Sequence, residues 1–159
     1  MKRILSFAFL AVVVFVFTLN AEAQQKSDKA QSAKPSVEYS SASSTSARPL
    51  SDIVRVGDML YLSGKLGTDS SGKLVPGGIA AETKQTMENI KAVLEKNNSS
   101  LDNVVKCTVM LADIKEWADM NAVYTTFFKK DRMPARSAFG TSGLVMNARV
   151  EIECMATVK

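Results

Sequence analysis

The clearest pattern in the chain is strict alternation near its end. Val150, Ile152, Cys154, Ala156 and Val158 fall on one side of an extended backbone, and Glu151, Glu153, Met155 and Thr157 on the other. A period of two is that of a half-buried strand, so residues 149–158 are predicted as one. Ile53-Val54-Arg55-Val56 and Met59-Leu60-Tyr61-Leu62-Ser63 are two more β-rich runs, separated only by Gly57-Asp58. Two residues of that kind between strands signal a tight hairpin. Val37-Glu38-Tyr39 reads as a short first strand. Residues 104–111 form another, apolar at Val105, Cys107, Val109 and Leu111, and Arg136 to Phe139 a further one. The period changes between these runs. From Ala80 to Lys96, Thr83, Met87, Ile90 and Leu94 recur at helical spacing, with Glu82, Lys84, Glu88, Lys91 and Glu95 assigned to the other faces. A second helix is predicted from Asp113 to about Phe128. Asp113 is its N-cap, with Glu116 three residues later as in a capping box. Trp117, Met120, Tyr124 and Phe127 are its buried stripe. The stretch 67–78, with four glycines and Pro76, is a loop.

These elements predict an α+β domain with two helices on one face of a sheet. Two helices leave the other face uncovered; Met155 lies on the outward face, and Met59, Met110 and Met120 are expected to add further apolar material. A large apolar patch marks an interface, so packing against another subunit is expected.

The first residues belong to a different regime. Lys2 and Arg3 precede an almost wholly apolar run from Ile4 to Leu19, and Ala21-Glu22-Ala23 ends it. That is the layout of a secretory signal peptide over residues 1–23. The rival reading is a retained anchor, for which the apolar run is only marginally long enough. Residues 24–35 carry no hydrophobic side chain larger than alanine and read as a flexible tether. The folded domain is expected over 36–159, and the mature protein in the periplasm or outside the cell.

Composition removes several functions. Loss of Lys2, Arg3 and Glu22 takes the formal net charge from +4 to +3. The basic residues are scattered, which gives no strong nucleic-acid footprint. There is no histidine, no CxxC and no Cys/His cluster, so a zinc site has little support. Cys107 and Cys154 sit in apolar runs. Free buried thiols are the expected state, with a disulfide allowed in an oxidising compartment.

The chemistry concentrates near Pro134-Ala135-Arg136-Ser137 and Glu151. An arginine fork binds a carboxylate through two parallel hydrogen bonds. A glutamate orients a water or moves a proton. Spacing alone leaves a plainer reading open, in which Arg136 is a surface ion-pair partner of Glu151 or Glu153. It also leaves Asn121 as a backbone pin and Ser63 as an ordinary strand-end hydroxyl.

Several motifs occur in order: Leu62-Ser63-Gly64, Glu88-Asn89-Ile90-Lys91-Ala92-Val93-Leu94, Val105-Lys106-Cys107-Thr108-Val109, Met120-Asn121-Ala122-Val123-Tyr124 with Phe127-Phe128, Pro134-Ala135-Arg136-Ser137, and Val150-Glu151-Ile152-Glu153. Together they resemble the RidA family, also called YjgF/YER057c/UK114, over roughly residues 37–159. The resemblance implies a chorismate-mutase-like α+β fold, a homotrimer with clefts between subunits, and no metal or cofactor. It implies hydrolysis of reactive enamines and imines, such as 2-aminoacrylate, to 2-keto acids and ammonia. By the same resemblance Arg136 holds the substrate carboxylate, Glu151 positions water, Ser63 joins them as a catalytic residue, and Asn121, Gly64, Ala138 and Leu50 are substrate-binding positions. Two positions depart from the family pattern. Leu50 stands where a tyrosine follows the cleft proline, and Ala138 replaces a cysteine, keeping only its backbone N–H. Lys65, in place of a glutamine, is expected to add a charge near the site. The alternatives are a trimeric module that binds small carboxylates without turnover, and an endoribonuclease.

Overall fold

The alternation in the last strand organises the domain. In the computed structural model, which describes residues 34–40 and 49–159, Val150, Ile152, Cys154 and Ala156 are buried while Glu151, Glu153, Met155 and Thr157 are not. The leader and almost all of the predicted tether lie outside the described residues.

Seven strands form one mixed sheet: β1 (Val37–Ser40), β2 (Ile53–Val56), β3 (Met59–Leu62), β4 (Lys65–Leu66), β5 (Val104–Leu111), β6 (Ala135–Gly140) and β7 (Val150–Thr157). Their order is β1-β2-β3-β7-β5-β6, with β4 also on β7. The predicted hairpin is present, with Val56 opposite Met59 across Gly57-Asp58. Gly57 has φ 58°, a conformation that glycine adopts without strain. All neighbouring strands run antiparallel except β5 and β6. A parallel pair needs a crossover, and the second helix supplies it.

Helix α1 (Gly78–Lys96) buries Thr83, Met87, Ile90 and Leu94, as the periodicity predicts. It ends where Asn98 turns left-handed at φ 56° and the Ser99 N–H reaches back to the Leu94 carbonyl. Helix α2 (Trp117–Tyr124) follows a 3₁₀ turn at Ile114–Glu116. Both helices pack against the core that the sheet presents, so the α+β reading stands.

Four local expectations are corrected. Glu82 lies on the buried side of α1, because its carboxylate accepts the backbone N–H of Arg149 at 2.8 Å. Glu116 does not close a capping box. Asp113 caps the 3₁₀ turn by accepting from the Lys115 N–H, while Glu116 pairs with the Arg149 guanidinium. Trp117 is 40% exposed rather than part of a buried stripe. Val105 is 44% exposed, because a register shift between Val104 and Lys106 turns it outward.

The cysteines are also corrected. They are not free. Antiparallel register sets Cys107 directly opposite Cys154, with Cα atoms 4.2 Å apart, and a disulfide joins them. Register between strands 47 residues apart is set by the fold and cannot be read from either run alone. Closing a loop of that length restricts the unfolded chain. Cys154→Ala is therefore expected to lower unfolding stability by about 2–4 kcal/mol in oxidising buffer. Denaturant melts of the two proteins would measure it, and equal midpoints would remove the disulfide from the account of stability.

Candidate active site

One group of candidate residues gathers on the helix side of the sheet. Strand β6 places Arg136 beside Cys107 and Ala138 beside Val109, so both share the face of those core residues. The guanidinium carbon of Arg136 lies 4.6 Å from the Tyr124 ring centroid and 5.6 Å from that of Trp117. Trp117, Asn121 and Tyr124 are four and three residues apart on α2, one face of a helix. Arg136 Nη1, Asn121 Oδ1 and Tyr124 Oη are each buried without a hydrogen-bond partner. Arg136 forms no ion pair among the described residues. Burial pushes the Tyr124 phenol up to about 12, against the opposing pull of the Arg136 charge. The phenol therefore stays protonated and neutral at physiological pH, a donor with nothing to give to. Aromatic faces hold a cation in place without neutralising it. This cluster presents two unpaired donors, Arg136 Nη1 and Tyr124 Oη, and a full positive charge, a combination that suits a carboxylate.

A second group lies on the open side. Glu151 sits there opposite Leu66 of β4 and Met110 of β5. From Tyr61 to Lys65 the chain takes four steps, while β7 takes three from Met155 to Ile152. The extra residue makes a bulge at Ser63-Gly64, a device that re-aims side chains beside functional sites. Gly64 is required there. A Cβ at that position would collide with the Glu151 carboxyl group. Ser63 donates its hydroxyl to the Ser51 carbonyl at 2.6 Å, and its N–H to the Asp52 carbonyl. Burial, and then the neighbouring charge of Glu153, raise the Glu151 carboxyl above the ordinary glutamate range. A carboxyl so shifted keeps its proton to a higher pH than a solvated glutamate does.

A family model described as Endoribonuclease L-PSP matches residues 40–158. The chain belongs to the endoribonuclease L-PSP family. A 2-iminobutanoate/2-iminopropanoate deaminase of Bos taurus is 45% identical over 109 residues, which cover 68% of this chain and 79% of the relative. One of the same name from Homo sapiens is 42% identical over 109 residues, with coverage of 68% and 79%. Among solved structures, RidA from an Antarctic Psychrobacter is 32% identical with a TM-score of 0.67, covering 79% of this chain and 99% of that one. The fold is therefore the α+β, chorismate-mutase-like one of the RidA/YjgF proteins.

Within one chain of this L-PSP family member the two groups stay apart. Arg136 and Glu151 occupy opposite faces of the sheet, since Arg136 shares its face with Cys107 and Glu151 shares its own with Met110. Within one chain, the reading of Arg136 as an ion-pair partner of Glu151 or Glu153 is thus excluded. Asn121 shares the α2 face of Trp117 and Tyr124, the rings beside Arg136, while Gly64 lies against Glu151 and Ser63 precedes it in the bulge. Leu50, 49% exposed, lies one residue before the Ser51 carbonyl that Ser63 holds. Lys65 is not a free charge beside the site. Its ammonium binds the Asp52 carboxylate at 2.5 Å, with both side chains nearly buried. A shallow depression of about 130 Å³ on the open face, lined by Tyr61, Lys106, Thr108, Glu153 and Met155 among others, includes neither Arg136 nor Glu151. Among the described residues no group of three or more His, Cys, Asp or Glu side chains converges as a metal site. Sequence reading passed over Tyr124 and Trp117 as core. Their spacing from Asn121 on one helical face was the available signal.

The raised carboxyl of Glu151 predicts a pH-dependent stability. Its folded pKa lies above its unfolded value, so ionisation costs folding free energy above the folded pKa and nothing below the unfolded one. Glu151→Gln is expected to melt at a higher temperature than wild type at pH 7. That advantage should shrink on acidification and vanish below about pH 4. A variant less stable than wild type at neutral pH would contradict the burial of this charge.

Proposed function

We propose that the protein hydrolyses imines of α-amino acids, or the enamines in equilibrium with them, to 2-keto acids and ammonia. The observation that carries this reading is Arg136: a guanidinium stacked on two aromatic rings, with a buried Nη1 that has no partner. The imine deaminase names of relatives at 42–45% identity support it. Arg136 takes the substrate carboxylate, helped by the Asn121 amide and by the backbone N–H of Ala138. Glu151 holds a water against the imine carbon and accepts its proton as the C–O bond forms. The same carboxyl then returns the proton to nitrogen. Collapse of the carbinolamine breaks the C–N bond and releases ammonia, so imine plus water becomes ketone plus ammonia. Imines are reactive, and positioning with acid–base help is sufficient. Ser63 and Gly64 shape the bulge that aims Glu151. An RNA-cleaving site gains no support from a chain without histidine.

In this reading the working site is shared. Two groups on opposite faces of one sheet meet when Arg136 of one chain faces Glu151 of another, and a closed homotrimer provides three such clefts. The uncovered apolar face, with Tyr61 and Phe139 40% and 47% exposed, supports burial against other copies. The test is complementation. Arg136→Ala and Glu151→Ala chains are each expected to lose the acceleration of keto-acid release from an amino-acid oxidase product. Co-refolded in equal amounts, they should regain about a quarter of wild-type activity, since random mixing leaves that share of clefts intact. A mixture as inactive as its parts would rule out the shared site. Full activity in Arg136→Ala alone would rule out the carboxylate grip.

We also propose that the chain is exported and loses residues 1–23. The Cys107–Cys154 disulfide supports this, because such bonds persist in oxidising compartments. N-terminal sequencing of the protein from the producing cells should begin at Gln24. A chain still carrying Met1-Lys2-Arg3 would refute the cleavage.

A further inference from the structure

The surroundings of Glu151 define what kind of side chain its substrate carries. Its two cross-strand neighbours on the open face are Leu66 and Met110, and Phe139 follows next to Met110 on β6, 47% exposed. Leu50, apolar and half exposed, directly precedes Ser51, whose carbonyl the Ser63 hydroxyl binds. A segment carrying an exposed leucine would ordinarily be free to move. This one is fastened three times to the strand end that carries Gly64. The Ser63 hydroxyl binds the Ser51 carbonyl at 2.6 Å, the Ser63 N–H binds the Asp52 carbonyl at 3.1 Å, and the Lys65 ammonium binds the Asp52 carboxylate at 2.5 Å. The ion pair is nearly buried, with side-chain exposures of 12% and 9%. A pair withdrawn from water in this way fixes geometry more than it adds stability. Gly64 in turn lies against the Glu151 carboxyl. The chain from Leu50 to Glu151 is thus a short series of fixed contacts.

We infer that the site selects α-imino acids with bulky apolar side chains, and that Lys65 is a positioning residue that holds Leu50 as one wall of the side-chain pocket. The inference rests on imine hydrolysis at Glu151, as proposed above, and adds the substrate class and the latch. An apolar wall favours a substrate that buries extra methylenes against it. Each methylene in a fitted pocket discriminates by about tenfold or more.

The experiment compares kcat/KM for the imines that an amino-acid oxidase makes from leucine and from alanine. Wild type should prefer the leucine-derived imine by about tenfold or more. Leu50→Ala, a change at a half-exposed position, should reduce that ratio several-fold. Lys65→Met should reduce it too, and Lys65→Arg, which keeps the ion pair, should preserve it. The double exchange Lys65→Asp with Asp52→Lys should restore part of what Lys65→Met loses. A wild-type ratio near one, or a ratio unchanged in Leu50→Ala, overturns the apolar substrate class. A ratio unchanged in a folded Lys65→Met overturns the latch. Arg136→Ala is run beside them. If it leaves both rates at wild-type values, the imine reading itself has failed, an outcome distinct from loss of selectivity alone.

Discussion

Strand β7 is the constraint on which the rest depends. It is paired on both sides, to β5 along one edge and to β3 and β4 along the other. Its period of two divides the protein. Val150, Ile152, Cys154 and Ala156 enter the core beneath the helices, while Glu151 and Glu153 face away. A slip of one residue would bury two carboxylates and expose four core side chains, so register is strongly specified. The disulfide from Cys154 to Cys107 fastens that register covalently at its middle.

The same alternation separates the reactive groups. Arg136 goes under α2 because β6 runs parallel to β5 with Arg136 beside Cys107. Glu151 goes to the open face because it neighbours a core residue in sequence. Neither half alone contains both the cation and the carboxyl that the proposed hydrolysis uses. One has a cation held between aromatic rings, with three buried polar atoms unpaired. The other has a carboxyl made reluctant to ionise, aimed by a bulge and allowed by a glycine. Such an arrangement makes sense of a sheet that leaves one face uncovered. The cost of an exposed apolar surface is offset if assembly both buries it and completes the site.

Much of this was legible from periodicity. Both helices, the hairpin and the main strands follow from spacings of two and of three to four, because burial of one face imposes those spacings on the sequence. The failures have a common origin. Glu82 was assigned away from the core and Glu116 to a capping box, yet one holds a backbone N–H of Arg149 and the other its guanidinium. Lys65 looked like a free charge and is half of a nearly buried pair. Trp117 looked like core and is partly exposed over Arg136. Each depends on what a distant segment brings alongside, and hydrophobic pattern carries no information about that.

The amino-acid sequence by itself determined the elements, the split of β7 into a core face and a polar face, and, through its ordered motifs, the family and the residues of interest. Tertiary structure alone decided which of those residues meet. Cys107 finds Cys154 and Lys65 finds Asp52, while Arg136 and Glu151 are sent to opposite sides of one sheet. The reason is physical. Side-chain direction along a strand is local, whereas the register and direction of the neighbouring strand are fixed only when the whole sheet closes over its core.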